Sequence, residues 1–206
     1  MFFERIIESC QSNFNGKIEV VSSLAWGKYI RVGGITQSGG VVEKIWRSVF
    51  KKIKGDFRKI LILGLGGGSV AKVLCSRFKK AKITGVEIDP LMVNFGEKYL
   101  GLDNSKLKIE IDDAKKWFLD NKKKFDLIIV DIYQGKTYPP FFESDLFLKS
   151  LKSHLVVGGI VVFNRLYSSD LTVRKSAVKF GEKLEKEFKE VNRIYPLANL
   201  IFACRI

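Results

Sequence analysis

Past residue 56 the hydrophobic pattern alternates between two periods. Short apolar runs rich in Ile and Val, "KILILGL", "KITGVEI", "LKIEI", "FDLIIVD" and "GIVVFN", are separated by segments of helical spacing. A strand that is apolar along its whole length is buried on both faces, and strand–helix alternation builds a parallel sheet with helices on either side. The pattern predicts an α/β chain with a doubly wound, mostly parallel sheet over residues 56–206. A last helix over about 170–188 leads into "EVNRIYPLANLIFACRI", two strand-like runs split by Pro196, which predicts an antiparallel C-terminal hairpin at the sheet edge.

Helix ends are readable. Asp89 is placed to cap "PLMVNFGEKYLG", with Pro90 at the first helical position and Gly101 just past the last turn. "ESDLFLKSLKSHL" puts Leu146, Leu148, Leu151 and Leu155 close to one face, and Gly158 and Gly159 are expected to break the chain before the next strand. The first 55 residues differ. "GKIEVVSSLAWGKYIRVGGITQSGG" alternates apolar and polar positions between Gly and Ser turns, predicting a small antiparallel β unit, and "VVEKIWRSVFKKI" reads as a lead-in helix. The expected division is therefore 1–55 for the β unit and lead-in helix and 56–206 for the larger sheet.

Composition narrows the class. At 206 residues the chain can bury a substantial core. No apolar run is long enough to cross a bilayer, and "MFFERIIESC" carries charges where a signal peptide needs a clean apolar stretch, so a soluble, cytoplasmic protein without membrane attachment is expected. Cys10, Cys75 and Cys204 follow no metal-ligand spacing and read as free thiols. The charge of +14, from 36 Lys and Arg against 22 Asp and Glu, leaves weak polyanion binding through a basic surface open. Most of the excess lies in lysine runs beside helix ends or turns, where it solvates the surface, and no nucleic-acid motif accompanies it. His154, the single histidine, sits in a helical last turn and reads as a satisfied surface or cap residue.

The candidate chemistry starts at "KILILGLGGGSVAKVL", where Gly64, Gly66, Gly67 and Gly68 join a buried strand to a helix. Bare backbone at such a turn admits a ligand that any Cβ would displace. Glu87 ends the next strand, 21 residues after Gly66, where a carboxylate can accept hydrogen bonds from both hydroxyls of a ribose. Asp112 and Asp113 end the third strand and Asp131 the fourth. Any one of them could be a helix cap; polar groups on successive strand ends point instead to one shared nucleoside site. The turn lacks the sixth-position glycine of a dinucleotide fingerprint, and no Walker lysine is present. Tyr133, Tyr138, Phe141 and Phe142 in "DIYQGKTYPPFF" pack a stiff loop over that site or line it.

The succession "LILGLGGGSVAKVL", "GVEIDPLMVNFGEKYL", "IEIDDAKKWF", "FDLIIVDIYQG" and "LVVGGIVVFN" resembles the Rossmann-like S-adenosylmethionine-dependent methyltransferase fold, and more closely its spermidine synthase (polyamine aminopropyltransferase) branch. "QSGGVVEKIW" resembles that branch's Q-x-x-x-x-D-E-x-x-Y-H element. The resemblance implies that Gly64, Gly66, Gly67 and Gly68 line the amino-acid or aminopropyl end of a sulfonium nucleoside. It implies further that Glu87 and its neighbour Ile88 hold the ribose, that Asp112, Asp113 and Ala114 meet the adenine, and that Gln37 closes over the donor. Asp131 matches the first aspartate of the family's D-x-x-D, which helps deprotonate the attacking amine, with Trp46, Tyr133 and Gln134 shaping the acceptor pocket.

The departures are specific. Gly67 stands where the family has an aspartate that contacts the amine of a decarboxylated donor, Gln134 replaces the second aspartate of D-x-x-D, Val42 replaces another, and Trp46 and Arg47 replace the Tyr-His pair, while Glu43 is kept. Without the carboxylate at 67, a donor that retains its own carboxylate is no longer repelled. The expectation is therefore S-adenosylmethionine-dependent methyl transfer to an unidentified small nucleophile, with no metal. Aminopropyl transfer from decarboxylated S-adenosylmethionine to an altered acceptor is the alternative. A non-catalytic nucleoside- or nucleic-acid-binding protein is the third reading, and a homodimer stays open.

Overall fold

The computed structural model describes residues 4–135 and 137–206, arranged around two sheets. The first is an antiparallel meander of β1 (Glu4–Ser12), β2 (Gly16–Ser23), β3 (Gly27–Val32) and β4 (Ile35–Gly39), followed by α1 (Gly40–Lys52). The second contains β5 (Lys59–Leu63), β6 (Lys82–Glu87), β7 (Lys108–Ile111), β8 (Phe125–Val130), β9 (Leu155–Leu166), β10 (Glu190–Ile194) and β11 (Asn199–Arg205). Their order is β10-β11-β9-β8-β5-β6-β7. Pairings from β7 through β9 are parallel, whereas β11 runs antiparallel to both β9 and β10, giving the hairpin edge.

The continuous apolar runs are explained by where alternate residues go. Along β5, Ile60 and Ile62 enter one core with Trp46 and Phe50 of α1 and Val70 and Leu74 of α2 (Ser69–Arg77). Leu61 and Leu63 enter the other, with Phe118 of α4 (Ala114–Asp120), Phe147 and Leu151 of α5 (Asp145–His154) and Phe180 of α6 (Leu171–Glu187). The cap expected at Asp89 is present. Its carboxylate accepts from Leu91 N at the start of α3 (Pro90–Phe95), which continues as a π turn to Leu100 before Gly101 adopts φ 68°.

Strand β1 extends the expected β unit by one strand that the pattern did not mark. Three local expectations are corrected. Leu146 points outward at 65% exposure, and Phe147 takes the core position beside Leu148 and Leu151. Gly158 and Gly159 lie inside β9, which bulges between its pairings with Phe125 and Leu127, so they bend the strand rather than precede it. His154 is buried, packed on Phe118 at 4.1 Å between the carbonyls of Ser150 and Asn121. Both ring nitrogens are satisfied in the last turn of α5, as expected of a cap residue, but the ring is buried rather than at the surface. Among the described residues no helix is long and apolar enough to cross a membrane.

Candidate active site

Strand order reverses between β5 and β8, so the loops leaving their carboxyl ends diverge and leave a crevice, the usual ligand position in open α/β sheets. That crevice is lined by Gly64, Leu65 and Gly66 after β5, Glu87 and Ile88 after β6, Asp113 and Ala114 after β7, and Asp131, Tyr133 and Gln134 after β8. The smaller sheet closes it with Gln37, Ser38 and Asn15, and Phe141 and Phe142 cover it.

The glycines serve two different ends. Gly64 and Gly66 line the crevice. Gly64, at φ 86°, is bare because a Cβ would collide with the carbonyl of Asp131 on the adjacent strand end. Gly67 and Gly68 are not crevice residues, contrary to the expectation from sequence. A Cβ on Gly67 would lie 2.6 Å from Ile30 Cδ1 and 3.0 Å from Ser38 Cβ, and one on Gly68 would collide with Leu102. This half of the turn is bare so that the smaller sheet and the segment after the π turn can pack on it. Gly64→Ala is expected to destabilise the fold by about 3 kcal/mol, from the left-handed backbone and the collision together, read as a lowered urea midpoint at unchanged slope.

Glu87 is turned into the site. Its Oε2 accepts from Gly66 N at 2.7 Å and its Oε1 from Asp89 N at 3.0 Å, which fixes the glycine turn against the end of β6. Burial raises its pKa, while the two N–H donors oppose the rise. A carboxylate has about four lone-pair sites, so hydroxyls of a ligand can still be accepted. Asp89 behind it is fully buried, and its Oδ2 receives Ser12 Oγ at 2.5 Å and Asn15 Nδ2 at 2.7 Å. Asp113 is both crevice wall and cap of α4, its Oδ1 accepting from Lys115 N at 2.7 Å. Asp112 does not line the crevice; its side chain accepts from Asp113 N and pairs with Lys116. It braces the turn rather than presenting to a ligand.

Asp131 stands at the far end. Asn164 Nδ2 donates to its Oδ1 at 2.7 Å and is itself held by Asn199 Nδ2 at 2.8 Å. Burial pushes the Asp131 carboxyl up to about 6, and Asn164 and Trp46 pull the other way. Trp46 is fully buried and lies beyond Asp131 rather than in the crevice, with its indole N–H toward the Asp131 carboxyl. Tyr133 lines the crevice with its ring, but its hydroxyl is spent on β9, accepting from Leu166 N at 2.7 Å and donating to Asn164 O at 3.3 Å. Gln134 is exposed at the rim. Gln37 reaches over the crevice and donates to Gly135 O at 3.2 Å, tying the smaller sheet to the loop after β8.

Sequence reasoning missed Asn164, Ser38 and Asn15. Asn164 carried a usable signal, a polar residue near the end of an apolar strand like the one that exposes Asp131. Ser38 and Asn15 gave none, since their relation to the site depends on docking of the smaller sheet. Among the described residues, no three His, Cys, Asp or Glu groups converge as a metal site.

Comparison with known proteins bears on this arrangement. Residues 41–198 match the family described as the spermine/spermidine synthase domain. A probable polyamine aminopropyl transferase of Bifidobacterium longum is 34% identical over 110 residues, 53% of this chain and 24% of that protein. The polyamine aminopropyltransferase of Desulforudis audaxviator is 26% identical over 91% of this chain and 68% of its own length. The eEF1A lysine and N-terminal methyltransferase of Bos taurus is 30% identical over 71% of this chain and 22% of its own. All three are transferases, and the chain spans less than a quarter of the first and last.

In structure, a spermidine synthase solved with the transition-state analogue AdoDATO superposes with a TM-score of 0.81 at 19% identity, covering 98% of this chain and 73% of that one. Human methyltransferase-like protein 13, solved with SAH, gives 0.62 at 24% identity over 81% and 79%. These likenesses establish the methyltransferase-type Rossmann fold. With residues 41–198, most of its length, matched by the family, the chain belongs to the spermine/spermidine synthase domain family.

Proposed function

We propose that the chain is a transferase that moves an aminopropyl group from decarboxylated S-adenosylmethionine to a small amine. The residues fit such a donor. A buried acid suits a ribose diol, and Leu65, Val86, Ile88 and Phe141 supply an apolar wall for a purine. When bound, a sulfonium nucleoside supplies an activated carbon whose bond to sulfur breaks as a nucleophile's lone pair forms the new bond, leaving a neutral thioether. The chain's own work is then positioning and proton removal. Glu87 holds the sugar, Gln37 keeps the crevice closed on Gly135, and Asp131 orients the amine and accepts its proton.

The observation that carries the reading is Asp131, a half-buried carboxyl at the strand-order switch, held in place by Asn164 and bordering the donor crevice. The relatives named as aminopropyltransferases support this reading over methyl transfer, which the departures in sequence favour. Methyl transfer from S-adenosylmethionine stands second on one specific ground. The backbone at Gly67 carries no acid to hold the donor's amine, and Ile30 and Ser38 occupy the space where one would begin.

Each labelled donor offered with a panel of amines separates the two. Label from the propyl chain of the decarboxylated donor should reach product, with no methyl label from S-adenosylmethionine; the opposite result assigns methyl transfer.

A further inference from the structure

Asp131 borders two cavities. The second lies beyond the carboxyl from the donor crevice and is walled by Trp46, Asn164, Asn199, Leu166, Leu197 and Ile35. Gln37, Val42, Asp131 and Tyr133 line both, so the two spaces meet at this carboxyl. A nucleophile seated in the second space would face the donor across Asp131.

The charge in that space is uneven. Asp131 is the one acid among its described lining residues, and it sits at the end nearest the donor. The remaining described wall carries no charge, being aliphatic apart from the Asn and Gln amides, Thr36 and the rings of Trp46 and Tyr133, and Leu197 at its mouth is 66% exposed. The indole N–H of Trp46 is turned to the Asp131 carboxyl, so it offers the rest of the space no polar partner. A diamine bound there would set one ammonium on Asp131 and run the other past apolar residues toward Leu197 with no counter-charge in the described wall, which is unfavourable. The net charge of +14 adds a long-range penalty for any polycation.

Resting on the transfer reading of the site, we infer that the acceptor is a monoamine: its nitrogen lies on Asp131, and its uncharged tail runs along Leu166, Leu197 and Ile35. The transferred group ends on that nitrogen, whose proton passes to Asp131 and then to solvent.

Two probes of equal length decide it. n-Pentylamine and 1,4-diaminobutane are titrated calorimetrically into the protein, with and without methylthioadenosine. Pentylamine should bind at least about tenfold more tightly, the cost of stranding the second ammonium. Thr36→Glu, which adds a carboxylate to the cavity wall, should reverse the order. The inference is overturned if the diamine binds wild type as tightly as pentylamine or more so, or if neither amine binds. Titration needs no turnover, so the two ideas fail separately. Monoamine preference in a protein that transfers nothing would sink the transfer reading alone, and turnover with diamine preference would sink this inference alone.

Discussion

Asp131→Asn lowers the transfer rate about 10²- to 10⁴-fold, the usual contribution of a positioned proton acceptor, with donor affinity changed little. The amide keeps an oxygen to accept from Asn164, so the geometry survives while the basic site is lost. In wild type, the rate should rise with pH through about 6 as the carboxyl ionises, and this limb should vanish in the variant. Stability moves the other way. Because the folded pKa lies above the ordinary 3.8, the native state binds more protons than the unfolded chain between pH 3.8 and about 6. Ionisation therefore costs stability as pH rises through that window, on the order of 2–3 kcal/mol once complete. The variant avoids this cost, so it should melt higher than wild type at pH 8 and nearly the same at pH 4. Unchanged turnover would remove Asp131 from the chemistry.

Glu87→Gln is expected to weaken donor binding about 100-fold, since hydrogen bonds to a charged acceptor contribute roughly 1.5–3 kcal/mol each. The carboxylate accepts from two backbone N–H groups, and an amide must turn its own N–H toward one of them. The glycine turn then loses its anchor as the sugar loses its partner. Titrating a 2′-deoxy donor separates these effects. Removing the hydroxyl should cost wild type affinity and the variant little, whereas equal losses in both would show that Glu87 supports the turn without touching the sugar.

The larger sheet was legible because its strands are buried on both faces, which leaves runs such as "ILIL" and "LIIV" with no other comfortable environment. The cap at Asp89 was legible for a local reason, as all its signals lie within three residues. Strand β1 was not. It is an edge strand, its adjacent Ile6 and Ile7 are both substantially exposed, and so it shows no period of two. Leu146 misled because the first turn of a helix can face solvent before the packed stripe begins.

In the site, Glu87 and Asp131 could be read from their places at strand ends. The division of labour among the glycines could not. Which neighbour fills the space beside Gly67 and Gly68 is decided by Ile30, Leu100 and Leu102, remote in the chain. For the same reason Asp112 and Asp113 looked alike, although one braces the turn and the other walls the crevice.

The hydrogen bonds from Ser12 and Asn15 to Asp89 end on the carboxylate whose own N–H is held by Glu87. Ser38 meanwhile accepts from the amide of Gly67. The meander is thus stitched into the cradle at both of its walls and is no detachable ornament. Loosening in that outer hairpin would be felt at the Glu87 carboxylate and the glycine turn, so mechanical integrity of residues 4–39 and the shape of the crevice are one property of this fold.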